Sequence, residues 1–470
     1  MRAKWKEITA GEIISPLQGE LTSGPPDAIF SGLCTDSREI VPGQLFWTLK
    51  GERYDGHDFL RQVIDKGAAG IVIQRGYRPE IPYGRGLAVI TVTDTLKALG
   101  DLAGWWRRQH SIRVAAITGS AGKTTTKEMT AKILEINAMT LKNKGNFNNL
   151  VGLPLTIFLM EDVHSRAVLE MGMNRPGEIA RLTEIADPDI GLITNVARVH
   201  LEGLGDINGV AKAKVELLEK ISSDGQVVLN GDDELLMKLA SPFRRNIMTY
   251  GIGSGNDIKA HEIRNLGREG SSFELQYHGN ATSVRLRVPG LQNIFNAMAA
   301  SAIAFCMKES PDHIVDGLSG FEGINGRFML IPLPDGATLV DDTYNSNPYS
   351  LNAAIDSMKG LLVEKGRVIV GLGEMMELGN ETVSAHLEAG RMVAGLGAHY
   401  FMAMGEHAQE MIEGAIGNGL PPDRAMVVNT HKEMAQKLRK VMKKGDLILL
   451  KGSRKTGLEK VTEALKNKLL

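Results

Sequence analysis

Val114-Ala-Ala-Ile-Thr118-Gly119-Ser120-Ala121-Gly122-Lys123-Thr124-Thr125 is the stretch from which the architecture can be read. A short apolar run ends in a glycine-containing turn, and residues 124–136 then favour helix. Strand, turn and helix in that order are what a phosphate-binding loop requires. The backbone N–H groups of the turn and the positive end of the helix dipole face the oxygens of an anion. Lys123 can place a charge between terminal phosphates, and the Thr124 hydroxyl can enter a Mg²⁺ shell. The strict G-x-x-x-x-G-K-[ST] pattern would have glycine at Ile117, so the motif here is the shorter T-G-x-x-G-K-T form.

Downstream, apolar runs at residues 167–171, 190–194 and 226–230 alternate with helical patterns at 177–185 and 210–221. Repeated strand–helix units predict a parallel sheet covered on both faces. Ligands of such sheets lie outside the carboxyl ends of the strands. Gly119, Glu170 and His200 all fall just past predicted strand ends, so they can converge on one crevice. A carboxylate and an imidazole there are candidate Mg²⁺ contacts, Glu170 directly and His200 directly or through water. Taken alone, His200 also reads as a satisfied structural histidine, and Lys214 as part of a solvated lysine face.

On either side the pattern changes. The first ~95 residues mix short strands (45–49, 70–73) with a helix at 58–66, punctuated by Pro79, Pro82, Gly84 and Gly86. Between about 246 and 289, alternation of Phe273, Leu275 and Tyr277 and of Val284, Leu286 and Val288 around a Gly-Asn turn predicts an antiparallel hairpin on the central sheet. Beyond Arg327 the strand–helix rhythm returns. The expected organisation is α/β in three domains. Residues 1–95 form a small mixed domain, 96–326 a central parallel-sheet ATPase domain with an antiparallel appendage, and 327–470 a Rossmann-like domain.

Composition narrows the function classes. Lys+Arg is 54 and Asp+Glu is 55, a formal net charge of −1, which argues against a wide polyanion surface. Two cysteines cannot staple 470 residues, so a reducing compartment is expected. The first residues lack the apolar core of a secretion signal, and no run approaches the ~18 residues of a membrane span. The expectation is a soluble, cytoplasmic, monomeric protein that binds no nucleic acid.

Several separated segments resemble the Mur ligase family, the ATP-dependent amide ligases of bacterial peptidoglycan assembly. Thr118–Thr124 resembles its ATP loop, and Asn195-Val-Ala-Arg-Val-His200-Leu-Glu-Gly its histidine segment. Val288-Pro-Gly-Leu-Gln-Asn293-Ile-Phe-Asn296-Ala resembles its adenine-side asparagine motif, and Gly326-Arg327-Phe with Asp341-Asp342-Thr-Tyr344 its C-terminal nucleotide contacts. Thr35-Asp-Ser37-Arg38 with residues 46–57 resembles the UDP-sugar domain. Gly145-Asn-Phe-Asn148-Asn149 resembles a substrate loop, while Gly373-Glu-Met-Met-Glu-Leu-Gly379 and Lys451-Gly-Ser453-Arg454 resemble C-terminal signatures. Ala121 stands where relatives often carry serine or asparagine; it is compact enough to let phosphate approach.

The resemblance implies that ATP turns a peptide's terminal carboxylate into an acyl phosphate, which an incoming amine attacks. The implied substrates are UDP-MurNAc-tripeptide and D-Ala-D-Ala. ATP contacts would come from Thr118, Gly119, Ser120, Ala121, Gly122, Lys123, Thr124, Thr125, Asn293, Asn296, Arg327, Asp342 and Tyr344. Substrate contacts would come from Ser37, Arg38, Thr48, Gly51, Asn148, Asn149, Lys451, Ser453 and Arg454. The metal would lie against Thr124, Glu170 and His200, and catalysis would fall to Lys123, Glu170, His200 and Lys214, the last as a carbamate. Nucleotide contacts on both sides of Gly326 imply a hinge there. Asp342 also reads as a turn residue before Asn-Pro, and Arg38 as half of a surface ion pair. An Asp-Asn-Pro-Arg motif, carried by the ligases that add the third peptide residue, is absent. A protein that binds ATP without catalysis is the alternative from a different class.

Overall fold

The structure, a computed structural model, describes Trp5 and residues 8–77, 86–362 and 366–467. The punctuation read at Pro79, Pro82 and Gly84 lies outside the described residues, as does most of the first heptad. Beside a two-stranded antiparallel pair, Ile8–Thr9 with Ile29–Phe30, three larger sheets occupy successive lengths of chain. The first has five strands, in the order Glu20–Ser23, Ala88–Val92, Gly70–Gln74, Leu45–Trp47 and Leu33–Cys34. All its pairings are parallel except that of the Glu20–Ser23 edge.

The second sheet has nine strands and holds Arg113–Thr118 near one edge. Arg166–Glu170 lies on one side of that strand and Ile190–Ile193 on the other, both parallel to it. Arg113–Thr118 reads Arg-Val-Ala-Ala-Ile-Thr, and its last five side chains are buried. A strand covered on both faces needs such a continuous run rather than alternation. Each fully buried isoleucine or valine contributes ~1.5–3 kcal/mol, enough to fix the strand's depth. The helix Lys123–Leu134 starts immediately after the turn.

The expected hairpin is present, Ser271–Tyr277 against Asn280–Leu286, with Phe273 opposite Val284. The change of pattern near residue 246 does not mark the start of antiparallel structure, however. Asn246–Gly251 runs parallel to Gln226–Asn230, and Ile258–Asn265 is parallel to it over two pairs before pairing antiparallel with Ser271–Tyr277. Alternation reports which face is buried and carries no sign for strand direction, so the pattern that predicts the hairpin leaves the direction of these two strands open.

The third sheet is five parallel strands with an antiparallel edge, Met329–Pro332. Its central strands Thr338–Asp342, Leu447–Lys451 and Val368–Gly373 are buried at every position. The helix Thr95–Arg108 packs both on Ala10–Leu17 and on the central region's Gly152–Ile157 and Glu178–Ala186, tying the first sheet to the second. No helix among the described residues is long and apolar enough to cross a membrane.

Candidate active site

A cavity of about 1150 Å³ opens where the carboxyl ends of the central strands face the third region, and both regions line it. The turn 118–122 forms part of its wall. Gly119 and Gly122 have φ of +147° and +85°, conformations that suit glycine. A Cβ at Gly119 would run into Thr194 Oγ1, and one at Gly122 into Asn296 Oδ1. The neighbouring strand holds the turn. Thr194 Oγ1 donates to Ala121 O (2.6 Å), Ala121 N donates to Asn195 Oδ1 (3.0 Å), and Ser120 N donates to Asn195 O (3.0 Å). Lys123 donates from Nζ to Gly119 O at 2.7 Å, across the mouth of the turn. Burial lowers its pKa and Arg327 pushes the same way, while Glu170 opposes both.

Glu170 ends its strand 3 % exposed. Its Oε1 accepts from Asn148 Nδ2 at 2.8 Å, and its backbone N and O are both taken by the Asn143 amide, at 2.9 and 2.8 Å. Oε2 is buried with no hydrogen-bond partner; the nearest cation, Lys127 Nζ, is 4.0 Å away. A buried carboxylate oxygen left without a donor is costly unless a cation completes it. That orphaned oxygen and the nearby Thr124 hydroxyl are hard oxygen donors that fit Mg²⁺. No cluster of three or more His, Cys, Asp or Glu side chains able to hold a metal occurs among the described residues, so phosphate or modified-lysine oxygens would have to complete the shell.

The solvated-face reading of Lys214 does not hold. Its helix, Ile207–Lys220, turns this residue inward, where it is 1 % exposed and lines the cavity. Burial lowers its pKa well below the usual lysine value, and Lys123 adds to the effect. The amine is therefore disposed to be neutral.

His200 also lines the cavity, in a left-handed backbone conformation (φ +54°), and its Nδ1 pairs with Glu377 Oε2 from the third region. Asn293 and Asn296 lie within the helix Leu291–Cys306, 6 % and 8 % exposed. Asn296 Oδ1 accepts from Thr126 Oγ1 at 3.3 Å, so this pair abuts the phosphate turn. From the other side Arg327 Nη2 donates to Thr124 Oγ1 at 3.1 Å, and its guanidinium lies 4.0 Å from the Tyr344 ring centroid. Asp342 Oδ2 forms a buried pair with Lys451 Nζ at 2.6 Å, and Oδ1 accepts from Phe328 N at 3.2 Å. Lys451 is thus engaged internally, beneath Ser453, whose buried Oγ has no partner, and Arg454, which is largely exposed. Asn149 caps the helix Gly152–Ile157, accepting from Val151 N and Gly152 N at 3.1 and 2.8 Å.

The structure does not bring Ser37, Arg38, Thr48 and Gly51 to this cavity. Arg38 is paired with Asp36 (2.6 Å), its side chain 82 % exposed. Thr48 is fully buried and donates to Val72 O at 2.7 Å. Ser37 O accepts from Lys66 Nζ at 2.8 Å.

Sequence reading gave no role to Asn195, Asn143, Lys127 or Glu377. The first sits just past a strand end, the one local signal that could have found it. The others act through neighbours distant in sequence.

Comparison with known proteins agrees with this layout. Residues 29–107 match the family model described as Mur ligase family, catalytic domain, residues 117–304 the Mur ligase middle domain, and residues 326–454 the Mur ligase, glutamate ligase domain. The chain is 36% identical over 462 residues to the UDP-N-acetylmuramoyl-tripeptide–D-alanyl-D-alanine ligase of Bacillus subtilis, covering 98% of this chain and 96% of that one. A crystal structure of MurF from Acinetobacter baumannii superposes with a TM-score of 0.88 at 32% identity, covering 98% and 99% of the two chains. MurF ligase from Thermotoga maritima, solved in complex with ADP, gives 0.81 at 27% identity, covering 93% and 97%.

Proposed function

The chain belongs to the Mur ligase family, and we propose that it joins D-Ala-D-Ala to UDP-MurNAc-tripeptide, using ATP and releasing ADP and phosphate. A carboxylate is a poor acyl donor because an amine would have to expel an oxide-like group. Transfer of the γ-phosphoryl group to the tripeptide carboxylate gives an acyl phosphate, and the dipeptide amine then displaces inorganic phosphate. The observation that carries this reading is the gathering of Lys123, the orphaned Glu170 oxygen and Lys214 on one cavity wall, with Arg327 reaching across from the third region.

Two anions must meet, so cations matter more than a side-chain nucleophile. Lys123 sits where it can leave Gly119 O for the β- and γ-phosphates, and Arg327 can follow the charge that develops on transfer. Thr124 and Glu170 would hold Mg²⁺, with His200 beside them; when bound, the ion neutralises phosphate charge. Asn293 and Asn296 would take the adenine side, and Tyr344, stacked on Arg327, the nucleotide from the other wall. Ser453 and Arg454 would bind the incoming dipeptide, and Arg38 in the first region would meet the UDP diphosphate. Closure of the third region about Gly326 would exclude water from the acyl phosphate.

Lys214 suits carbamylation. Its neutral amine adds to CO₂, a C–N bond forms, and one proton leaves to solvent, turning the amine into an anionic carbamate that can join the metal shell. ATP and a UDP-linked sugar are intracellular metabolites, which makes the cytoplasm the compartment of this reading.

Coupled phosphate release tests the assignment. Phosphate should appear only when ATP, UDP-MurNAc-tripeptide and D-Ala-D-Ala are all present. Turnover with UDP-MurNAc-dipeptide and a single amino acid instead would move the chain to the preceding reaction, and nucleotide binding without phosphate would make it a binding protein.

A further inference from the structure

Among the third region's carboxylates lining the cavity, Asp342 is paired with Lys451, while Glu377 meets the one imidazole of the wall, His200. Three further features mark the junction. Both residues are non-glycine yet left-handed, His200 at φ +54° and Glu377 at φ +63°. Such conformations are strained for residues that carry a Cβ and persist where surroundings impose them. The two backbones are joined as well, Glu202 N donating to Glu377 O at 3.3 Å. One turn further on, Arg198 Nη1 and Glu381 Oε1 form a second cross-region pair at 3.0 Å, this one well exposed on both sides.

We propose that Glu377 is a positioning residue that acts through His200. It takes the Nδ1–H of the ring, so Nε2 becomes the nitrogen left for the cavity, and it does so only while the third region is docked. A histidine's free nitrogen is set by the hydrogen bond its other nitrogen makes. Docking of the third region and orientation of the imidazole are therefore one event, and the chemical site is incomplete in an undocked chain. The inference rests on the ligase reading of the cavity.

A double-mutant cycle on the full chain tests it. Glu377→Ala should lower kcat about tenfold to a hundredfold while leaving the KM for UDP-MurNAc-tripeptide within about twofold. Glu377→Gln, which can still accept from Nδ1–H, should recover much of the loss. In a His200→Ala background, Glu377→Ala should cost nothing further, because its effect passes through the missing ring. Arg198→Ala, which breaks the exposed pair at the same junction without touching His200, should change kcat less than about threefold, as expected of a surface ion pair. Nitrogen NMR of the histidines should find His200 protonated on Nδ1 in the parent and mixed between its tautomers in Glu377→Ala. Additive losses in the cycle, or an equal loss from Arg198→Ala, would overturn the proposal. An unaltered tautomer in Glu377→Ala would do so without any reference to turnover. A parent protein with no ligase activity would instead remove the reading on which the cavity's chemistry rests, with the tautomer measurement still standing.

Discussion

The phosphate turn and the first region's Ser37–Arg38 segment were both quoted from sequence as binding sites, and they are built in opposite ways. Around Lys123 every partner is set before a ligand arrives. The turn is bonded to Thr194 and Asn195, Glu170 is clamped by Asn143 and Asn148, and Lys214 is buried beside them. The Arg38 side chain lies in solvent, and its guanidinium is paired with Asp36 two residues away. Charge in a dry, fixed setting acts strongly on a reaction, because screening is low and no reorganisation is needed. Charge at an exposed site steers and anchors, and must exchange one partner for another. The first kind of site should therefore govern kcat and the second KM.

The sharpest way to break that contrast is Lys123→Ala. Losing the donor should cost about 3 kcal/mol or more of transition-state stabilisation, read as a drop in kcat of at least a hundredfold. Near-normal ligation by this variant would remove the phosphate turn from the mechanism. Lys214→Ala comes next. Its activity should fall at least tenfold and return in part when a short carboxylic acid is added to replace the carbamate oxygens; an indifferent variant would return Lys214 to a packing role.

Arg38→Ala should behave differently in kind. We expect the KM for the UDP-linked substrate to rise about tenfold with kcat unchanged, the scale of one charge-assisted hydrogen bond (~1.5 kcal/mol). A fall in kcat instead would erase the distinction between the two sites. The smallest effect concerns Asp36, whose carboxyl the hydrogen bonds from Arg38 hold at about 2, below the usual 3.8. A carboxylate with a depressed folded value stabilises the fold above the unfolded value and loses that contribution as pH falls towards the folded one. An NMR titration should therefore place the Asp36 midpoint near 2 in the free protein and higher in Arg38→Ala.

What could be read from the chain divides along the same line. The phosphate turn, its strand and its helix are local, and a run such as 114–118 followed by Gly-Ser-Ala-Gly-Lys leaves few other conformations. Glu170 and His200 were reachable because strands of a parallel sheet present their carboxyl ends together. The inward turn of Lys214 was not legible, since Ala211-Lys-Ala-Lys214-Val-Glu has lysines on both sides of the helix and only packing on the sheet selects one. Asn148 lines the cavity as the resemblance implies, and its amide also holds Glu170, a contact across 22 residues that no spacing announces. Lys451 lines the cavity as the resemblance implies, and its pairing with Asp342, 109 residues earlier, has no local signature because it arises where two adjacent strands of the third sheet meet. The parallel direction of Asn246–Gly251 has no signature in the chain, because burial pattern is silent on parallel or antiparallel pairing.

Everything in the site is arranged for a phosphoryl group to pass to a carboxylate before any amide forms. UDP-MurNAc-tripeptide with both oxygens of the reacting terminal carboxylate replaced by a heavy isotope, turned over with ATP and D-Ala-D-Ala, reports that passage directly. The account predicts one heavy oxygen in each phosphate released. Phosphate that emerges without the label while the amide bond is made would contradict it.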